Sequence, residues 1–235
     1  MKNKFTLYSS ALILSLGGVV TTSAITFAAE DPIDSKVTVQ FVAGDEPTDP
    51  VDPDNPDNPV DPDNPVDPED PDNSGTDQPG PLSIDYVSNI VFGEQKISGT
   101  DKTYEARNVN PRIQVTDSRG DKNVGWKLTA TATPFMGKDK DNQNVTLNGA
   151  QLSFKNGHLK TQSNNNSSAP ISHDVVFDGT DAYDVMTATP NTGRGTWLNV
   201  FVNKSDVTLK VPGAVAENGV NYTSQITWTL ASVPA

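Results

Sequence analysis

Cysteine is absent from this chain of 235 residues. Its absence excludes thiol nucleophiles, zinc or iron–sulfur sites with cysteine ligands, and dithiol redox pairs. It also excludes a lipoprotein anchor, since that anchor is an acylated cysteine. A domain of ordinary length buries enough surface to fold without disulfides. The lack of cysteine therefore reduces the number of possible functions but does not prevent folding.

Positive charge is missing from one stretch of the chain. Residues 45–77 contain 13 acidic residues and no Lys or Arg, whereas residues 81–235 contain 14 acidic and 14 basic residues. The net charge of −13 therefore belongs to the acidic stretch. The charge-balanced remainder has no field that would attract a nucleic acid or an anionic membrane, and we expect neither as a partner.

Long hydrophobic runs are also lacking, except near the start. Lys2 and Lys4 precede an apolar run from about Leu7 to Val20, which small residues follow. This pattern predicts a signal peptide over residues 1–29. Three serines interrupt the run, which is shorter than the about 20 apolar residues of a membrane anchor. We expect a secreted chain, and export without cysteine indicates a Gram-positive bacterium.

Residues 30–44 form a short N-terminal segment with one possible strand. Apolar and polar residues alternate from Lys36 to Val42, which favours a strand. A single strand is not stable in water. It pairs with the main domain, pairs with a partner or stays disordered, and the sequence leaves these alternatives open.

Proline recurs at every third position from Pro47 to Pro71, between acidic residues and asparagines. Polyproline II has three residues per turn and rises about 3.1 Å per residue, so these 25 residues would extend roughly 80 Å. Low hydrophobicity and like charge oppose a packed core. We therefore expect residues 45–80 to be a disordered acidic linker. The alternative is a ligand for a polyproline-reading domain or for calcium.

The composition changes after Pro81 to short alternating segments separated by turn residues. The pattern predicts an all-β domain over residues 81–235, an antiparallel β-sandwich or a partly open barrel. The predicted strands are 82–92, 112–117, 124–133, 144–147, 151–155, 173–177, 183–187, 196–203, 206–211 and 222–231.

Two of these segments, far apart in the sequence, contain the tripeptide Trp-x-Leu. In the first, Trp126 and Leu128 alternate with polar residues; in the second, Trp228 and Leu230 do the same. In a strand, the Trp and Leu of each motif therefore share one face.

The paired motifs resemble those of the WxL family of Gram-positive surface proteins. The entry segment Gly-Pro-Leu-Ser-Ile-Asp-Tyr-Val at 80–87, the segment Gly-Ala-Gln-Leu-Ser-Phe at 149–154 and the preceding acidic linker suit that family. The resemblance implies non-covalent attachment to the outer cell wall, to peptidoglycan or another wall glycan, often in complexes with other surface proteins. It also implies that Trp126, Leu128, Trp228 and Leu230 form the binding site. The sequence shows no LPxTG-type sorting signal, in keeping with that expectation.

The residues alone leave the role of the motifs open. A Trp and a Leu on one strand face are most often core, and burial of the ring calls for a partner for the indole N–H. The alternative is that the indoles contact sugars or another protein. A structural interaction protein that docks on another surface protein and an adhesin for host glycoproteins remain alternatives to direct wall binding. Trp197 is expected in the core.

The sequence contains no residues in a pattern that is typical of a catalytic or metal site. In Ser172-His173-Asp174 neighbouring strand residues point to opposite faces, whereas a triad needs convergent side chains. Asp139 begins a stretch like a calcium loop, but Asn144 stands where that loop needs glycine and Ala150 where it needs glutamate. We predict a turn there, no metal, no cofactor and no enzymatic activity.

Overall fold

A computed structural model describes residues 34–61 and 66–234 of the chain. The predicted signal peptide, residues 1–29, lies outside the described residues. Two compact units are distinguished, Met1–Gln40 and Phe41–Ala235. In the first unit, the described residues 34–40 are exposed and have no regular secondary structure.

The second unit consists of short strands within its described residues. They are β1 (Leu82–Val87), β2 (Lys102–Glu105), β3 (Arg112–Asp117), β4 (Gly125–Ala132), β5 (Met136–Lys138), β6 (Asn144–Thr146), β7 (Gln151–Phe154), β8 (His158–Thr161), β9 (Ile171–Ser172), β10 (Val175–Phe177), β11 (Tyr183–Ala188), β12 (Gly195–Val200), β13 (Val207–Val211) and β14 (Ile226–Val233). A 3-10 turn, Lys204–Asp206, precedes β13.

The strands form three four-stranded sheets and one hairpin. The orders are β1-β3-β12-β8 in the first sheet, β10-β7-β13-β2 in the second and β14-β4-β11-β9 in the third, with β5 paired to β6. The pairs formed by these described strands are all antiparallel. The sheets remain open at their edges, so the expected antiparallel all-β fold is confirmed in its sandwich form.

One hydrophobic core is shared by the three sheets. Ile113 and Trp197 come from the first sheet, Phe154 from the second, and Trp126 and Met186 from the third. Strand β4 shows why: its even-numbered side chains are buried and its odd-numbered ones from Lys127 onward are half-buried. Because side chains alternate between the two faces of a strand, the alternating apolar and polar residues of β4 give it one face in the core and one outer face.

The acidic segment, residues 45–77, contacts the first sheet through several of its described residues; we call it the acidic strap. Val51 is buried against Leu198 and Val200, and its N–H donates to Gln114 Oε1 at 2.9 Å. Lys160 Nζ donates to the carbonyl of Pro53 at 2.6 Å. This packing corrects the expectation of a disordered linker for residues 45–61 and 66–77.

Proline content explains how such a polar segment can lie against a sheet. Each proline lacks an N–H, so a proline-rich segment leaves few donors that need partners once water is excluded. The remaining groups close local turns: Asn58 N–H donates to the carbonyl of Asn55, and Asp70 N–H to that of Asp67. The prediction of disorder was based on composition, which reflects the charge of the segment but not the hydrogen-bond partners that its backbone finds in the fold.

A buried arginine, Arg112, lies near three of the acidic residues of the strap. Arg112 is 2 % exposed, and its guanidinium carbon lies 4.1 Å from the ring centroid of Tyr86. Burial lowers the pKa of Arg112, while the charges of Asp52, Asp67 and Asp70 act in the opposite sense. A buried cation is tolerated when opposite charges lie nearby, and the strap supplies them.

A buried carboxylate, Asp85, lies beside the strap on the same sheet. It accepts hydrogen bonds from Ser83 Oγ at 2.6 Å, Gln114 Nε2 at 3.0 Å and Thr116 Oγ1 at 2.6 Å. Removal from water nevertheless raises the pKa of Asp85 above its ordinary value of 3.8, against these hydrogen bonds. Because Gln114 Nε2 also donates to the carbonyl of Asp49, Asp85 is connected to the strap.

We expect the contribution of Asp85 to the stability of the protein to fall as the pH rises from 3.8 through the raised pKa of Asp85. In that window the folded state holds a proton that the unfolded chain has lost, so the free energy of unfolding decreases with pH. Asp85→Asn should remove this component. The measurement is the melting midpoint against pH, with the exposed Asp181→Asn as control. A difference between Asp85→Asn and the wild type that does not vary with pH would contradict the assignment.

Candidate functional site

The two Trp-x-Leu motifs lie side by side in the third sheet. β14 pairs antiparallel with β4, which places Leu230 directly opposite Leu128 and Trp228 opposite Ala130. Side chains of paired residues share a face of the sheet. The four residues singled out in the sequence therefore form one continuous apolar patch on the inner face.

The first motif is entirely buried. Trp126 and Leu128 are both 0 % exposed, and Trp126 Nε1 donates to the carbonyl of Gly193 at 3.0 Å. Gly193 has a φ of +67°, and a Cβ there would lie 2.6 Å from Ala188 Cβ and 2.9 Å from Trp126 Nε1. A glycine is thus required for the turn that accepts the indole N–H. Nothing in solution can reach these two side chains in the folded protein.

The second motif is only half-buried, because β14 is an edge strand. Among the described strands it pairs with β4 alone. The ring of Trp228 packs edge-on against Phe154, with centroids 6.3 Å apart. Thr227 and Thr229, between the motif residues, are exposed on the opposite face.

Residues of β14, of the second sheet and of the segment that follows β1 line a groove, and Trp228 forms part of its lining. Its volume is about 1090 Å³, slightly above the range of about 300–1,000 Å³ that is typical of small-molecule sites. Its apolar lining comes from separate parts of the chain: Phe92, Tyr104, Leu152, Leu209, Tyr222 and Trp228. Of the four predicted site residues, only Trp228 lines it.

Polar side chains surround this apolar floor. Glu94, Gln95, Lys96, Asn221 and Gln225 also line the groove, and all five are exposed. Sequence reasoning missed most of the groove. Tyr222 had a signal, since it shares the alternation that leads to Trp228; Phe92 and Tyr104 had none, because only the fold brings them close.

The acidic strap is connected to the rim of the groove. Asp67, 2 % exposed, accepts a hydrogen bond from Asn108 Nδ2 at 2.6 Å. The other amide atom of Asn108, Oδ1, accepts the N–H of Val91 at 2.8 Å. Val91 and its neighbours form the irregular segment between β1 and β2 that lines the groove. The strap therefore helps to hold one wall of the groove in place.

The remaining sequence signals are structural. Trp197 is 5 % exposed and donates through Nε1 to the carbonyl of Arg194, which confirms its place in the core. Ser172, His173 and Asp174 do not converge: they contact Asn199, Thr187 and Asn156 respectively. Asp139 closes the predicted turn by accepting the N–H groups of residues 141 and 143.

Comparison with protein families agrees with the geometry of the paired motifs. The family model for the WxL domain, described as surface cell wall-binding, matches residues 28–234. The chain belongs to the WxL family. The match includes the acidic strap as well as the β-strands. No match was found among curated proteins or among solved structures.

Membership of the WxL family gives the coarse function and location of the protein. It is a cell-surface protein whose WxL domain binds the cell wall. Among the described residues, 34–61 and 66–234, no helix is long and apolar enough to cross a membrane. The two WxL motifs differ in their positions: both residues of the first motif lie in the core, whereas Trp228 of the second motif lines the groove.

Proposed function

We propose that this WxL protein binds peptidoglycan non-covalently through the groove that Trp228 lines. The observation that carries the proposal is the combination of an aromatic floor and an exposed polar rim in one open groove. Trp126 and Leu128 act in this proposal as the support that fixes β4, on which β14 and Trp228 rest. Leu230 extends the apolar patch beside them.

The chemistry of the groove suits an N-acetylated sugar polymer with attached peptides. Aromatic rings present flat faces on which the C–H groups of a sugar pack, and three of the lining residues are Tyr104, Tyr222 and Trp228. Amide and hydroxyl groups of the polymer would meet the exposed Gln95, Asn221 and Gln225 at the rim. An open groove of this volume accommodates a stretch of polymer rather than one small molecule.

Charge supports a short-range, contact-based mode of binding. Residues 81–235 carry equal numbers of acidic and basic side chains, so attraction to anionic wall polymers contributes little. Binding that depends on apolar and hydrogen-bonded contacts persists when salt screens charges. Retention at high salt therefore distinguishes the groove from ionic adsorption.

The test is to mix the purified secreted chain with protein-stripped cell walls and with peptidoglycan freed of other wall polymers, at low and high salt, and to measure the protein in the pellet. We expect retention on both materials at both salt concentrations. Retention only when other surface proteins are added would show that the domain docks on a partner. Binding to host matrix glycoproteins that excess wall fragments fail to displace would show an adhesin. Either result would overturn the proposal.

A further inference from the structure

One side of the groove is formed by a segment that is not part of a sheet. Residues 88–98 follow β1, line the groove and have no regular secondary structure; we call them the flank segment. Backbone N–H groups outside a strand ladder need other partners. In the flank segment, Asn89 N–H donates to Asp70 Oδ2 and Val91 N–H donates to Asn108 Oδ1, both at 2.8 Å. Side chains therefore hold two of its N–H groups.

The acidic strap lies behind both of these hydrogen bonds. Asp70 is a strap residue, and its Oδ1 also accepts the side-chain amide of Asn89 at 2.8 Å. Asn108 Nδ2 donates to Asp67 Oδ2 of the strap at 2.6 Å and to the carbonyl of Asn89 at 2.9 Å. Asp67 is 2 % exposed and Asn108 4 %, and a hydrogen bond to a charged group is stronger where water is excluded. Asp67 thus fixes Asn108, which in turn fixes the flank segment.

A third strap residue reaches the flank segment at the surface. Glu69 Oε1 lies 2.6 Å from Arg107 Nη2. Arg107 N–H donates to the carbonyl of Val91 at 2.8 Å, and a Cβ at Gly93 would lie 2.7 Å from Arg107 Cδ. An ion pair with a largely exposed partner contributes little by itself. The hydrogen bonds of the two strap aspartates are therefore the stronger connection.

The flank segment carries part of the binding surface of the groove. Phe92 belongs to the apolar lining, and Ile90 and Phe92 pack against the core. None of the described strap residues, 45–61 and 66–77, lines the groove. The strap therefore acts on a ligand in the groove through the position of the flank segment and not by contact.

We propose that Asp67, Asp70 and Asn108 are positioning residues that set the affinity of the groove for cell walls. This inference rests on the proposed function, since it assigns the control of the same groove. While the strap holds the flank segment, Phe92 stays in its place in the lining. When the strap loses its hold, the flank segment occupies other conformations as well. The apparent affinity then falls in proportion to the fraction of molecules that remain competent to bind.

The first test compares two alanine variants of the strap in the full secreted chain. Asp70→Ala removes both hydrogen bonds to Asn89, whereas Asp72→Ala removes the same charge from an exposed position two residues away. We expect Asp70→Ala to speed hydrogen exchange at Val91 but not in β4, and to raise the Kd for protein-stripped walls about tenfold, as is usual for coupled sites. Asp70→Asn, which keeps one acceptor oxygen, should lie between Asp70→Ala and the wild type. Asp72→Ala should equal the wild type in both measurements.

The exchange measurement needs no wall material, so it separates this inference from the proposed function. A wild-type protein that does not bind walls would overturn the proposed function, and this inference with it. A wild-type protein that binds walls, together with an Asp70→Ala protein of equal affinity or of unchanged exchange at Val91, would overturn this inference alone.

The second test exchanges the hydrogen-bonding roles of Asp67 and Asn108. Asn108→Asp alone keeps an oxygen for the N–H of Val91 but sets two carboxylates side by side, so the Kd for walls should rise. Adding Asp67→Asn gives the pair one donor and one acceptor again, and the double variant should recover most of the affinity. Such non-additivity is typical of residues that act through each other. A folded double variant that binds walls as weakly as Asn108→Asp would contradict the assigned roles.

Discussion

Trp126→Ala should lower the free energy of unfolding by about 3–5 kcal/mol. The indole is 0 % exposed and lies in the core shared by three sheets, so truncation leaves a cavity that the surrounding strands can fill only in part. The substitution also leaves the carbonyl of Gly193 without its donor. Urea unfolding followed by circular dichroism measures the loss. A domain with marginal stability would be unfolded at room temperature.

Trp126→Phe separates the two components of that loss. Phenylalanine keeps most of the buried ring but cannot donate to Gly193, so we expect a smaller decrease, about 1–3 kcal/mol for the unsatisfied carbonyl. Wall binding by the folded Trp126→Phe protein should equal that of the wild type. If Trp126→Ala instead unfolded like the wild type and failed to bind walls, the residue would be a ligand contact rather than core.

The sequence predicted the fold class because the buried strands alternate strictly. In β4 the apolar residues occupy every second position. This alternation can be recognised in the sequence without knowing which strands pair with β4. Strands β2 and β8, which were not predicted, lie at the edges of their sheets. An edge strand such as Lys102–Glu105 keeps polar side chains on both faces, so its sequence carries no alternation to detect.

The groove and the strap lay beyond sequence reasoning for a different reason. The sequence placed Trp126 and Trp228 in two strands with alternating apolar and polar residues. It held no information that β14 lies at the edge of its sheet, and this edge position is the reason that only Trp228 reaches the groove. The strap depends on single long-range contacts, such as Val51 with Gln114 across 63 positions. The spacing of the prolines and the charge are properties of the strap alone, so they do not predict that it packs against the first sheet.

Trp228→Ala should weaken wall binding strongly while the domain stays folded. Trp228 is half-buried on an edge strand and has one face toward the groove, so its removal opens the groove and leaves no closed cavity in the core. Aromatic contacts of this kind cost about 2 kcal/mol or more when truncated, about a thirtyfold rise in Kd. The measurement is a binding isotherm on protein-stripped walls, with circular dichroism to verify the fold.

Neighbouring residues of β14 provide the matched controls. Thr227→Ala and Thr229→Ala remove side chains of the same strand from the opposite, exposed face, and both proteins should bind walls like the wild type. Trp228→Phe retains an aromatic face and should bind with intermediate affinity. A folded Trp228→Ala protein with wild-type affinity would remove the groove from consideration. The wall contact would then have to lie on a surface where neither Trp-x-Leu motif is exposed.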